Sequence, residues 1–188
     1  MKLSDDKCGL NFIMDSFLYR NLIPLPMTCT KKPKSVCIIS YFEETNSNEY
    51  IIPDLGEVSS PINIDLETGG LIKRMRVKIN IEHTYVRDLI IFLVAPDNSE
   101  IRLANRIDDN SDDFFNTVFS DFALVSIQTA TSADAPFTGE WIPDQPLSTF
   151  NGKNLNGVWN LKVQDDTGTD IGKILNWSIY ITYCFQGK

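Results

Sequence analysis

LIKRMRVKINIEHTYVRDLIIFLVAP, residues 71–96, is the stretch that decides the fold. Met75, Val77, Ile79 and Ile81 alternate with Arg74, Arg76, Lys78, Asn80 and Glu82. Apolar and polar residues at a period of two belong to a strand with one packed and one wet face. The run ends in His83-Thr84-Tyr85, and Asp88-Leu89 then opens an apolar block, Ile90 to Val94, closed by Ala95-Pro96. Being apolar throughout, Leu89–Val94 reads as a strand covered on both sides. Pro96-Asp97-Asn98-Ser99 turns the chain, and Ile101 and Leu103 then alternate with Glu100 and Arg102. Residues 87–105 therefore read as a hairpin.

The same signal continues outward. Upstream, Ile62, Ile64 and Leu66 alternate with Asn63, Asp65 and Glu67 before a Gly69-Gly70 turn. Downstream, residues 105–157 are rich in turns and contain Pro136, Pro143, Pro146, Asn151-Gly152 and Asn156-Gly157, with short strands expected at 115–119 and 122–127. Trp159, Leu161 and Val163 alternate with Asn160, Lys162 and Gln164, and Leu175, Trp177, Ile179 and Ile181 with Asn176, Ser178, Tyr180 and Thr182. Many short alternating strands and no long helical period predict an all-β sandwich or barrel; two stacked sheets would have Trp159 and Trp177 pointing inward. The polar run Glu43–Asn48 reads as a linker. It divides the chain into an N-terminal extension, 1–49, and a sandwich, 50–185. Within the extension, a short amphipathic helix at 10–20 and a strand at Val36–Phe42 are expected.

A chain of 188 residues with a net charge of −8 is long enough for one well-buried core. Its acidity argues against a nucleic-acid partner, since no excess of cations is present to displace counterions. No apolar stretch is long enough to span a bilayer, and the start lacks the layout of a secretory signal. Cys8, Cys29, Cys37 and Cys184 form no Cys-x-x-Cys pair, which argues against a zinc or redox motif. They allow one or two disulfides in an exported protein and free thiols otherwise.

His83 is the sole histidine, so a Ser-His-Asp site would have to use it. No Gly-x-Ser-x-Gly elbow accompanies it. The simpler reading is a partly buried imidazole whose nitrogens bond backbone or carboxylate neighbours. Gly168-x-x-x-Gly172-Lys173 is one residue short of a phosphate loop, and Ile174 stands where a hydroxyl is needed. Asp108-x-Asn110-x-Asp112 begins like an EF-hand loop but lacks its glycine and its final glutamate. Aspartates at the loop ends of a sandwich suit a hard cation, and Asp88, Asp121, Asp165 and Asp166 are the expected calcium ligands. The competing reading is a solvated acidic loop. Phe114, Phe115, Phe137 and Trp141 lie in turn-rich segments; Phe137 and Trp141 are the expected partner- or ligand-binding aromatics, against the alternative that they plug the ends of the sandwich.

Several spaced elements together resemble the P domain (Homo B domain) of kexin- and furin-like proprotein convertases and related bacterial subtilisin-like proteases. These are Ile52-Pro53-Asp54; His83-Thr84-Tyr85 with Asp88-Leu89-Ile90-Ile91-Phe92-Leu93 and Ala95-Pro96; Asn116-Thr117-x-Phe119-x-Asp121; Pro136-Phe137-Thr138-Gly139; Pro146-Leu147-Ser148-x-Phe150-x-Gly152; Asn156-Gly157-x-Trp159-x-Leu161-x-Val163-x-Asp165; and Gly172-x-Ile174-x-x-Trp177-x-Ile179. They run in order over about residues 50–183. Arg87 stands where the family often has glycine, and Asp97-Asn98-Ser99 where it often has a Gly-Thr turn. The resemblance implies a jelly-roll β-sandwich similar to galactose-binding-like folds. It also implies a non-catalytic module that packs on a subtilisin-like catalytic domain, supports its folding and tunes its calcium and pH response, in an extracellular or secreted setting. Nothing in residues 1–49 resembles that catalytic domain. The alternative function is a calcium-supported carbohydrate-binding jelly roll that uses Trp141 as its stacking platform.

Overall fold

The computed structural model describes residues 36–107 and 111–186. Ten strands succeed one another: β1 (Cys37–Asn46), β2 (Tyr50–Ile52), β3 (Glu57–Ile64), β4 (Leu71–His83), β5 (Leu89–Val94), β6 (Glu100–Asn105), β7 (Phe114–Phe119), β8 (Gly139–Trp141), β9 (Gly157–Asp165) and β10 (Gly172–Gln186). They form two sheets of a jelly-roll β-sandwich. One runs β1-β10-β4-β7-β8, with β2 also paired to β10, and the other runs β3-β9-β5-β6. Every pairing is antiparallel except β7 with β8.

β4 and β10 form the spine of the larger sheet, as the alternation of each strand requires. Met75, Val77, Ile79 and Ile81 are buried on β4. They face the inward residues of β9, Trp159, Leu161 and Val163, across the sandwich. Both Trp159 and Trp177 are completely buried. Each indole N–H finds an acceptor, as a buried donor must. Trp177 Nε1 donates to Ser60 Oγ at 3.0 Å, a bond that ties β10 of one sheet to β3 of the other. Trp159 Nε1 donates to the Leu155 carbonyl at 2.9 Å, while Phe150 meets its ring edge-on at 5.1 Å.

Three details differ from the sequence reading. Ile174, not Leu175, is the fully buried residue at the start of β10, because β10 carries one extra residue between Ile174 and Asn176 where it pairs with Ile81 and Asn80. Such a bulge shifts the inward phase by one position. In β5 the burial alternates, so Ile90, Phe92 and Val94 are only half-buried. The aliphatic stem and ammonium of Lys162 cover Phe92, with Nζ 4.4 Å from the ring centre. Residues 122–127 form a turn with a single bridge, Ser126 to Ile142, rather than a strand.

The strand expected at Val36–Phe42 forms as β1, and the supposed linker at Glu43–Asn48 falls largely inside it. β1 pairs with β10 from Cys37 to Asn46, so the sandwich begins N-terminal to residue 50. Polar composition misled because β1 lies at a sheet edge, where most side chains are wet. A Cys37–Cys184 disulfide fastens this edge strand to β10. The helix expected at 10–20, together with Cys8, Cys29, Asp108 and Asn110, lies outside the described residues.

Candidate functional site

β4 ends, β5 begins and β9 ends at one pole of the sandwich, and the loop from Asp166 to Ile171 closes over them before β10 starts. This convergence gathers the polar side chains that the apolar strands cannot use. His83, the last residue of β4, has a completely buried imidazole. Its Nε2 lies 3.2 Å from Asp165 Oδ2 and its Nδ1 2.9 Å from the Tyr85 carbonyl oxygen. Asp113 Oδ1 accepts the His83 backbone N–H at 2.9 Å. Asp165 Oδ1 accepts the Thr167 N–H, turning the loop back over the pair. Thr84 donates its hydroxyl to Asp170 at 2.8 Å, anchoring the far end of the same loop.

Asp88 enters the cluster from the short 3-10 turn that precedes β5. It is 3% exposed, and its Oδ2 has no hydrogen-bond partner. Burial holds this carboxyl above the ordinary aspartate range; the Thr167 hydroxyl opposes the shift, and the nearby Asp165 and Asp170 add to it. Gly172 makes room for the whole arrangement. A Cβ there would sit 2.3 Å from the Glu82 carbonyl oxygen and 2.4 Å from His83 Cδ2. The ring nitrogens lie against a backbone carbonyl and a carboxylate, as the simpler reading of His83 expects, and the imidazole is buried completely rather than partly.

The four aspartates expected as calcium ligands do not meet. Asp88 and Asp165 share the buried cluster. Asp166, one residue on, forms an ion pair with Arg106 at the surface. Asp121 accepts the backbone N–H groups of Leu147 and Ser148, each at 2.8 Å, and so caps the turn Leu147–Phe150. Among the described residues no three His, Cys, Asp or Glu side chains are arranged to hold a metal. Calcium wants six to eight oxygens, so these side chains do not by themselves make the expected site.

The two aromatics expected on a binding surface are inside. Phe137 is fully buried and Trp141 is 9% exposed. The Phe137 carbonyl accepts both the Thr117 hydroxyl at 2.8 Å and Trp141 Nε1 at 2.9 Å. That pair of bonds folds the turn-rich segment back onto β7, where Phe137 packs on Phe114 at 5.4 Å. Trp141 therefore offers no face for a sugar to stack on. Of the four loop aromatics only Phe115 is well exposed.

A different surface stands out beside the buried cluster. A groove of about 700 Å³ is lined by Ile51, Ile52, Pro53, Ile171 and Gly172, with His83 and Thr84 of the cluster also on its lining. Ile51 is 79% exposed and Ile171 68%. Asp54, Glu82, Asp112 and Asp113 also line it, and among the described residues Lys173 is the one Lys or Arg that does. The clue was present in the sequence: with Ile52 inward, alternation turns Ile51 out.

The proprotein convertase P-domain family matches residues 72–181. The chain is 32% identical over 136 residues to leupeptin-inactivating enzyme 1 of Streptomyces exfoliatus, covering 71% of this chain and 25% of that one. It is 33% identical over 142 residues to the transglutaminase-activating metalloprotease of Streptomyces mobaraensis, covering 74% of this chain and 15% of the relative. A serine protease of Aeromonas sobria shares the fold, with a TM-score of 0.50 and 18% identity over 78% of this chain and 27% of that structure. The chain thus spans a quarter or less of the length of these two curated relatives. With the two-sheet sandwich in place and the matched segment running from β4 to β10, this chain belongs to the proprotein convertase P-domain family.

Proposed function

We propose that the chain is a non-catalytic accessory module that sits against a protease catalytic domain and stabilises its folded state. The observation that carries this reading is the burial of the only imidazole, spent on Asp165 and the Tyr85 carbonyl. A hydrolase of the serine type needs that ring open to a nucleophile and a substrate. The relatives add a chemical argument. One is named a metalloprotease and a fold neighbour a serine protease. Metal-bound water and an activated serine require different residues, so a segment common to both is a poor place for either reaction. The Cys37–Cys184 disulfide supports an oxidising, extracellular setting.

Calcium enters the proposal at one point, Asp88 with Asp165. There an unpartnered carboxylate oxygen adjoins a second carboxylate, and the remaining donors would be backbone carbonyls and water. The reading as a whole is tested by producing the catalytic domain of a protease that shares the fold, the Aeromonas sobria serine protease without its matching segment, alone and joined to residues 36–186. Loss of soluble, active protease without the sandwich is the expected result. Equal yield, melting point and activity in both forms would overturn it.

A further inference from the structure

We infer that the groove lined by β2, the start of β10 and the end of β4 is a docking site for a cationic, apolar segment of a partner polypeptide. The inference rests on the accessory-module reading and names the face and chemistry of the contact. Ile51 and Ile171 both line the groove and are 79% and 68% exposed. Two branched aliphatic side chains held out of the core beside a concave floor gain by being covered. Nothing in their own sheet requires this: Ile52, the neighbour of Ile51, already supplies the inward contact of β2.

The charge around the groove selects the occupant. Four carboxylates, Asp54, Glu82, Asp112 and Asp113, line it. Asp113 spends one oxygen on the His83 N–H and Asp54 one on the Thr169 N–H. Among the described lining residues the one Lys or Arg is Lys173, and it is already held by Glu49 and Glu82. The groove therefore carries unbalanced negative charge about an apolar middle. An acidic segment would be repelled there, and a neutral apolar one would leave the carboxylates unanswered. A segment with an aliphatic residue flanked by Lys or Arg satisfies both features.

The probes are two synthetic peptides with the same leucines, one spaced with lysine and one with glutamate, titrated against the whole chain and followed by amide chemical shifts. The lysine peptide is expected to bind, to shift the amides of Ile51, Gly172 and Asp112, and to weaken as salt is raised. Ile51→Ser should weaken it by roughly tenfold or more, and Asp112→Asn should flatten the salt dependence. Both changes lie on exposed side chains, so the melting point should hold. Equal binding of the glutamate peptide, no binding of either, or indifference to Ile51→Ser would overturn the inference. If Ile51→Ser abolishes the peptide contact while the joined sandwich still fails to rescue the catalytic domain, the accessory reading falls and the groove assignment stands. If the joined sandwich rescues the catalytic domain and the lysine peptide ignores Ile51→Ser, the groove assignment falls and the accessory reading stands.

Discussion

Gly172→Ala tests the geometry of the buried cluster with the smallest change available. Gly172 pairs with Ile52 on one side and with His83 on the other. The new methyl would lie 2.3 Å from the Glu82 carbonyl oxygen, where ordinary contact begins at 3.4 Å. The obstacle is backbone in a paired strand, so no side-chain rotation relieves it. A second contact, 2.4 Å from His83 Cδ2, presses on a ring whose nitrogens are both engaged. The strands would have to part by about 1 Å or β4 would lose its register here, and overpacking of this kind costs about 1–3 kcal/mol, with a backbone clash at the upper end. For a domain of this size that is a fall in melting point of roughly 6–12 °C. Thermal melts followed by the fluorescence of Trp159 and Trp177 would read it. Gly168→Ala, in the same loop, is the control, since its Cβ would meet nothing closer than 3.5 Å. If Gly172→Ala melts with the wild type and the control, the close approach of β10 to His83 is wrong.

Three further outcomes follow from the same structure. Asp88 has its folded-state pKa raised by burial, so it favours folding only at low pH, and that contribution disappears as pH rises through the folded value. In chelator, Asp88→Asn should therefore raise the melting point at neutral pH and lose that advantage near pH 4; a gain of equal size at both pH values would contradict the assignment. Calcium at millimolar concentration should raise the melting point of the wild type and not of Asp88→Asn, since a ligand of the folded state alone stabilises by mass action; identical melts in calcium and chelator would remove calcium from the proposal. Cys37→Ser opens a link between residues 147 apart in sequence. Chain entropy puts the loss at about 4–5 kcal/mol as an upper figure, with amide protection falling first along β1. Unchanged protection in β1 would show that the edge strand is held without the disulfide.

The strands were legible because their signal is local. Period-two alternation in residues 74–82 and 159–164 required only that one face be buried; β9 obeys it throughout, and β4 obeys it except at Asn80, which is buried with its amide bonded to Asn176 and to the Asn116 N–H. Leu175 broke the rule because a bulge depends on the partner strand, which alternation within β10 does not record. The site was less legible because it is assembled from a distance. His83 could be recognised as a bonded ring from its place at a strand end, yet its acceptor lies 82 residues away. Asp121 looked like a metal ligand because a carboxylate in a turn-rich region has many uses, and its real one, capping Leu147 and Ser148, is set by tertiary packing. Turn-rich surroundings leave Phe137 and Trp141 with two readings, a binding surface or a plug at the end of the sandwich, because turns are usually wet. Here the Phe137 carbonyl, doubly bonded to Thr117 and Trp141, pulls the turn inward. The exposure of Ile51 follows from alternation once Ile52 is inward, but Ile171 precedes β10, and nothing in the local sequence shows that β2 and β10 bring the two to one place.

The single imidazole of this chain is buried against Asp165, and the proposed function takes it to serve the fold. Carbethoxylation tests this directly, because only one histidine is present to react. The folded chain should resist diethyl pyrocarbonate at His83 while the urea-unfolded chain is modified fully. Modification of the folded protein at the unfolded rate would mean an open, accessible ring, and the assignment of this chain as a non-catalytic module would lose its main support.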